Sequence, residues 1–124
     1  MKVFTLEEAN DLLPGVSADL RSIQKLYTKL DLYRDAARAA AAASEYSGGM
    51  KGGSAYVQSL YEIGKLTTRI HDLGIQLKDY TRGLIDFPSV KDDRVVLLCW
   101  QLGEGEKIEW WHEIEAGFPG RQPL

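Results

Sequence analysis

The apolar residues of this chain change their spacing half-way along it. In the first half they recur every three or four residues, whereas in the second half they form short runs between turn-forming residues. A recurrence of about 3.5 residues places side chains on one stripe of a helix, and short β-type runs are typical of strands. We therefore expect an α+β fold in a single domain over 1–124, helical over 1–74 and β-stranded over 75–124.

The first predicted helix is long and has a defined start. Thr5 and Glu8 have the spacing of a capping box, in which each side chain binds the backbone of the other residue. Pro14 lacks the N–H that would bind the carbonyl group of Asn10, but the apolar phase continues past it. This favours one helix kinked at Pro14 over two separate helices. Its apolar seam consists of Leu6, Ala9, Leu13, Val16, Leu20, Ile23, Tyr27 and Leu30.

A second helix is predicted over residues 55–73, because the Gly-rich stretch SGGMKGGS at 47–54 precedes it and Gly74 follows it. The two helices should form a long antiparallel hairpin. Since the first helix is much longer, the seam from Leu6 to Ile23 has no helical partner. Either the C-terminal half or a second protomer must cover it, and the second alternative predicts a homodimer through the N-terminal helix seam.

Four short β-type runs follow the helices, namely IQLKDY, LIDFP, RVVLLCWQL and KIEWWH. The turn segments TRG, VKDD and GEGE separate them, which indicates a four-strand antiparallel meander packed on the helical hairpin. Pro88 is expected to shorten the second strand or to lie at a bulge. The last two turns predict that Cys99 lies between Asp86 and Trp110 on neighbouring strands.

The predicted registers bring several polar side chains to one face of the sheet. A three-residue loop at 81–83 places Lys78 opposite Asp86, whereas a two-residue loop would place Asp79 opposite Asp86. The second register brings two negative charges together and is unfavourable unless a cation binds between them. Adjacent tryptophans on a strand point to opposite faces, so Trp110 shares this polar face and Trp111 fills the core. The candidate ligand-binding residues are Lys78, Asp79, Asp86, Trp110, His112, Glu115 and Arg121.

One imidazole among carboxylates is a donor set for a divalent metal ion. The alternatives are a hydrogen-bonded structural histidine and a cross-strand ion pair between Lys78 and Asp86. Arg121 either clamps the C-terminal tail by pairing with a carboxylate or binds an anionic ligand. Cys99 is expected to be a small packing residue. The candidate metal ligands are Asp79, Asp86, His112 and Glu115.

Composition and charge exclude several classes of protein. The net charge of −3 and the lack of a basic stripe argue against a nucleic-acid partner. A single cysteine cannot form a disulfide framework, which fits a reducing compartment. Because no run of about 18 apolar residues and no signal-peptide pattern occurs, we expect no membrane association and a cytoplasmic location.

Four blocks of the sequence carry a family resemblance. They are FTLEEANDLLP at 4–14, LGIQLKDYTRGLIDFP at 73–88, LCWQLGE at 98–104 and WHEIEAGFPGRQPL at 111–124. Together they resemble the bacterial family called domain of unknown function 2203. The resemblance implies a small cytosolic prokaryotic protein, but it brings no established activity and no catalytic residues.

Three classes of function are compatible with these patterns. The leading hypothesis is a ligand- or partner-binding homodimer without catalysis. The alternative is a small metal-dependent hydrolase, with Asp79, Asp86, His112 and Glu115 as ligands or acid–base groups and Arg121 binding an anionic substrate. A third hypothesis is an adaptor that docks through the helical hairpin. Whether the protein is an enzyme stays open at this point.

Overall fold

A computed structural model describes residues 1–42 and 53–124 of the chain. Most of the loop predicted at 47–54 lies outside the described residues. Within them, two helices precede a sheet of five strands, so the α+β class is confirmed. The elements are α1 Leu6–Ala42, α2 Gly53–Asp72, β1 Gln76–Asp79, β2 Leu84–Lys91, β3 Arg94–Gln101, β4 Trp110–His112 and β5 Gln122–Pro123, with a 3-10 turn at Phe118–Gly120.

Helix α1 begins at the predicted capping box. The backbone N–H of Glu8 donates to Thr5 Oγ1 at 3.1 Å, and the backbone N–H of Thr5 donates to Glu8 Oε1 at 2.8 Å. These bonds satisfy donors at the helix start, and they hold the pKa of the Glu8 carboxyl below its usual value. The helix continues through Pro14 without a restart, while the kink at that residue stays a prediction.

Helices α1 and α2 contact each other at two places. Near the sheet, Arg69 of α2 donates to Asp19 of α1, with 3.0 Å between Nε and Oδ2. Farther along, the rings of Tyr33 and Tyr56 meet edge to face with their centroids 6.3 Å apart. Residues later in α1 therefore contact residues earlier in α2.

The sheet has the strand order β1-β2-β3-β4-β5, with antiparallel neighbours. Asp92 and Asp93 form the β2–β3 turn with φ angles of 50° and 62°, the left-handed conformations that a tight two-residue hairpin needs. The predicted alignment of Cys99 with Asp86 and with Trp110 is confirmed. The predicted four-strand count is wrong, because the C-terminal tail returns and adds β5 alongside β4.

The first hairpin also differs from its predicted register. Asp86 lies opposite Gln76, and a bulge falls between Leu77 and Asp79. The predicted pairing of Lys78 with Asp86 is therefore wrong. The physical cause is the turn, in which Asp79 Oδ1 accepts two backbone N–H groups at 2.9 and 3.3 Å and so lengthens the loop by one residue.

Strand β2 continues through Pro88 in regular register with β3, so Pro88 neither shortens the strand nor forms a bulge. It lies beyond the end of β1, where β2 needs no donor on that side. The N-terminal segment uses this free edge. The backbone N–H of Phe4 donates to the Pro88 carbonyl group at 2.7 Å, and the Ser89 hydroxyl donates to the Phe4 carbonyl group at 2.6 Å.

One face of the sheet covers the apolar seam of α1. Seam residues from Ala9 to Ile23 are at most 2% exposed and join sheet residues such as Phe87 and Trp111 in one core. Of the two predicted alternatives, the C-terminal half of the same chain covers the seam. The seam itself thus needs no second protomer, and the homodimer stays a prediction.

Candidate metal site

The second face of the sheet, opposite α1, carries a row of polar side chains. Asp86, Cys99 and Trp110 lie side by side on β2, β3 and β4. His112 is two residues after Trp110 and so points to the same face. Asp86, Cys99 and His112 are only 1–2% exposed. We call these three residues the Asp–Cys–His cluster.

Residues 113–121, the tail loop between β4 and β5, cover this face. The Arg121 guanidinium lies 4.9 Å from the Trp110 ring centroid, and the Phe118 ring contacts both Arg121 and Arg82, at 4.7 and 4.1 Å. Arg82 belongs to the β1–β2 turn, whereas Trp110 belongs to β4. Since β2 and β3 separate these elements, the contacts extend across the second face and explain why the cluster is buried.

The hydrogen bonds of His112 fix its tautomer. Its Nδ1 lies 2.7 Å from the Glu113 carbonyl oxygen, which can only accept, so Nδ1 carries a hydrogen. Its Nε2 lies 3.2 and 3.1 Å from the two carboxylate oxygens of Asp86. A hydrogen bond between Nε2 and the carboxylate requires one further hydrogen. The pair is therefore imidazolium with carboxylate or neutral imidazole with carboxylic acid.

Cys99 completes the cluster. One ligand atom from each of Asp86, Cys99 and His112 lies within 4.8 Å of the others. Burial raises the pKa of the Cys99 thiol to about 12, and the charge and hydrogen bond of Asp86 act in the same direction. The thiol is thus neutral near pH 7 in the absence of a cation, which is unsuited to a nucleophile.

The structure brings together only part of the predicted site. Asp86 and His112 meet, but Asp79 caps the β1–β2 turn and does not belong to the cluster found among the described residues. Glu115 lies on an exposed turn and is likewise outside the cluster. Lys78 is exposed on β1.

Arg121 pairs with a carboxylate and clamps the C-terminal tail, which is one of the two predicted alternatives. Its Nη1 and Nη2 lie 2.8 Å from the two carboxylate oxygens of Glu104. The Glu104 carboxylate also accepts the backbone N–H of Gln101 at 2.8 Å. The Arg121 side chain is 9% exposed and its guanidinium group stacks on Trp110, so it holds the tail loop against the sheet.

Sequence reasoning missed Cys99 as a ligand candidate. The correctly predicted register had already placed it beside Asp86, on the same face as His112. A sulfur donor between a carboxylate and an imidazole is therefore a sequence signal for a metal ligand. A cysteine in the middle of a strand is usually a packing residue, which is the role that the sequence predicts for Cys99.

The comparison with protein families agrees with the sequence blocks. The family described as uncharacterized conserved protein (DUF2203) matches residues 2–124. The chain belongs to this family. No curated protein and no solved structure matches this DUF2203 member. Neither helix in the described part of the chain combines the length and apolar character that a membrane span requires.

Proposed function

We propose that this DUF2203 protein is a non-enzymatic binding protein whose ligand is a divalent metal ion held by the Asp–Cys–His cluster. The observation that carries the proposal is the convergence of a carboxylate, a thiol and an imidazole within 4.8 Å on the second face of the sheet. Two of the ligands, Asp86 and His112, were metal candidates from the sequence, and Cys99 replaces Asp79 and Glu115.

The distances support a shared ion. A tetrahedral ion with bonds of about 2.0 to 2.3 Å separates its ligand atoms by roughly 3.3 to 3.8 Å. The separations of 3.1 and 3.2 Å between His112 Nε2 and the Asp86 oxygens are close to this range. The sulfur atom of Cys99 would need to approach by at most about 1.2 Å, which a small side-chain rotation supplies.

The surroundings of His112 also suit a ligand. Metal-binding histidines usually donate their other ring N–H to a carbonyl or carboxylate group, which fixes the ring. The bond from Nδ1 to the Glu113 carbonyl oxygen has this form and points Nε2 at the cluster. The Glu113 carbonyl oxygen also accepts the backbone N–H of Ala116 at 3.1 Å, so the supporting group is itself fixed.

The donor set favours a zinc-type ion over Mg²⁺ or Ca²⁺. Thiolate and imidazole are preferred by Zn²⁺ and similar transition ions, whereas Mg²⁺ and Ca²⁺ prefer oxygen ligands. One thiolate and one carboxylate also neutralise two positive charges. A bound divalent ion would therefore leave no net charge in the buried cluster, which avoids the cost of an isolated internal charge.

The burial of the cluster favours binding over hydrolysis. A tetrahedral ion held by these three residues keeps a fourth position, and a catalytic metal needs that position open to water and substrate. Asp86, Cys99 and His112 are at most 2% exposed beneath the tail loop. This supports the binding hypothesis over the metal-dependent hydrolase alternative.

Metal titration tests the proposal. Protein prepared with a chelator and then freed of it would be titrated with Zn²⁺ and with Co²⁺, whose absorption reports thiolate coordination. We expect one ion per chain and at least about tenfold weaker binding in Cys99→Ser and Asp86→Asn. Asp79→Asn and Glu115→Gln are the matched controls and should bind as the parent does. Absence of binding, or equal binding in all variants, would leave a purely hydrogen-bonded cluster.

The predicted homodimer requires a surface other than the covered seam. Helix α2 supports one, because Val57, Leu60 and Tyr61 have the i, i+3, i+4 spacing of one helix face and are 64%, 47% and 63% exposed. We propose this surface for pairing with a second copy. Light scattering on the full chain tests it, with a monomer mass removing the homodimer and loss of a dimer in Val57→Glu supporting this surface.

A further inference from the structure

Resting on the proposed function, we infer that the tail loop is the gate through which an ion reaches the Asp–Cys–His cluster, and that the Arg121–Glu104 ion pair is its latch. The inference concerns access to the site rather than the identity of the ion. It follows from how the loop is held in place.

The layers of the fold restrict the route to the cluster. The opposite face of the sheet is packed against α1 in the apolar core, where Leu20, Ile85 and Phe87 are fully buried. An ion therefore cannot approach from that side without disrupting the core. On the second face, the cover is the tail loop, whose contacts extend from Trp110 across the sheet to Arg82.

The tail loop is built as a separate unit. Its backbone bonds are local, from Ala116 to Glu113 at 3.1 Å, from Gly120 to Gly117 at 3.0 Å, and from Arg121 to Phe118 at 3.2 Å. Opening the loop leaves these bonds in place. Segments with local bonds and few buried apolar contacts open with small free energies compared with global unfolding.

Besides the ring contacts of Phe118 and Arg121, two ion pairs hold the loop in place. At its start, Arg94 donates to the Glu113 carboxylate, with Nε 3.0 and 3.1 Å from the two oxygens, but this pair is largely exposed. Such pairs contribute little. At its end, the pair between Arg121 and Glu104 has side chains only 9% and 20% exposed and is bonded twice. The Arg121–Glu104 pair is therefore the stronger restraint, because it is less exposed to water and its attraction is less screened.

The latch also carries a feature that favours release. Within the described residues, the Arg121 Nε is buried without a hydrogen-bond acceptor. A buried donor without a partner is unfavourable, and exposure to water on opening would satisfy it. The pair that holds the end of the loop closed thus contains a donor that opening would satisfy, as a gate requires.

The thiol of Cys99 offers a test that needs no metal. It is the only cysteine in the chain and is 1% exposed, so a thiol reagent such as DTNB reaches it only when the face opens. We expect Arg121→Gln and Glu104→Gln each to raise the labelling rate by about tenfold or more. Arg38→Gln, which breaks the exposed pair with Asp35 on α1, is the control and should not change the rate.

Stability and metal exchange separate the outcomes. Urea denaturation identifies any variant whose faster labelling merely follows global unfolding, and that result would overturn the gate. Unchanged labelling in both latch variants would also overturn it. If labelling accelerates but Co²⁺ does not bind the parent, the tail loop still controls access to the second face, and the proposed metal binding fails. If Co²⁺ binds the parent, but its association and dissociation rates in the latch variants are no faster than in the parent, the proposed function stands and the gate fails.

Discussion

The hydrogens available to the Asp86–His112 pair predict different effects for two substitutions of Asp86. With Nδ1–H donated to Glu113, a neutral His112 offers Nε2 as an acceptor. In Asp86→Asn, the amide N–H can donate to Nε2 across the 3.1–3.2 Å gap that the carboxylate now spans. Asp86→Ala instead leaves the buried imidazole nitrogen without a partner.

The expected magnitudes differ widely. Removing one partner of a buried pair costs about 1 to 3 kcal/mol when the remaining group is neutral and about 3 to 5 kcal/mol when it is charged, so Asp86→Ala should lower the free energy of unfolding by about 2 to 5 kcal/mol. Asp86→Asn preserves the hydrogen bond and the volume and should cost at most about 1 kcal/mol. For a chain of this size the melting temperature falls by roughly 3 to 5 °C per kcal/mol, which makes the difference easy to measure.

The assay is urea denaturation of metal-free protein at pH 7 with a chelator present. Tryptophan fluorescence monitors the unfolding. Working without metal keeps this prediction independent of the proposed function. Asp31→Ala is the control, because Asp31 forms an exposed pair with Arg34 on α1 and should change stability by less than about 0.5 kcal/mol. If Asp86→Asn destabilises the protein as much as Asp86→Ala, the carboxylate charge is essential and the shared-hydrogen reasoning is wrong.

Three further predictions concern positions outside the cluster. Gly83→Ala should lower the free energy of unfolding by about 2 kcal/mol, because φ at Gly83 is +64° and a Cβ there would meet Leu102 side-chain atoms at 2.6 Å. An unchanged midpoint of urea denaturation would contradict this prediction. Thr5→Ala should cost about 1 kcal/mol through the lost helix cap, measured in the same way, and retained stability would show that the cap is dispensable. The hydrogen bond from Arg94 lowers the pKa of Glu113. The contribution of Glu113 to stability is therefore present above its unfolded-state pKa and is lost as pH falls through its folded-state pKa. Glu113→Gln should flatten the acid limb of the curve of unfolding free energy against pH, and an identical curve would refute the linkage.

The sequence predicted the local features of the fold well. The capping pair of Thr5 with Glu8 and the tight turn at Asp92–Asp93 depend on residues a few positions apart. Cross-strand alignment follows from such turns, which is why Cys99 was correctly placed beside Asp86 and Trp110. The 3.5-residue seam likewise identified the core stripe of α1, since burial on one side imposes that spacing.

The remaining features depend on small irregularities or on distant contacts. A single-residue bulge before Asp79 shifted the first hairpin and removed Lys78 from Asp86. Strand β5 is only two residues long and carries no periodic pattern. The burial of the cluster depends on Phe118 reaching Arg82, a contact between segments that local patterning does not relate. The sequence thus indicated which residues could bind a ligand, but not which of them the tail would enclose.

Helix α1 joins two regions of different character in one rod of 37 residues, about 55 Å long. Its first half is locked into the sheet around Leu20, whereas the half towards Ala42 packs beside α2. Amide hydrogen exchange should therefore be slowest near Leu20 and faster towards Ala42, so that fraying at the far end stops before it reaches the core. The rod can be lengthened or trimmed at that end during evolution or engineering while the opposite end of the molecule keeps its chemistry.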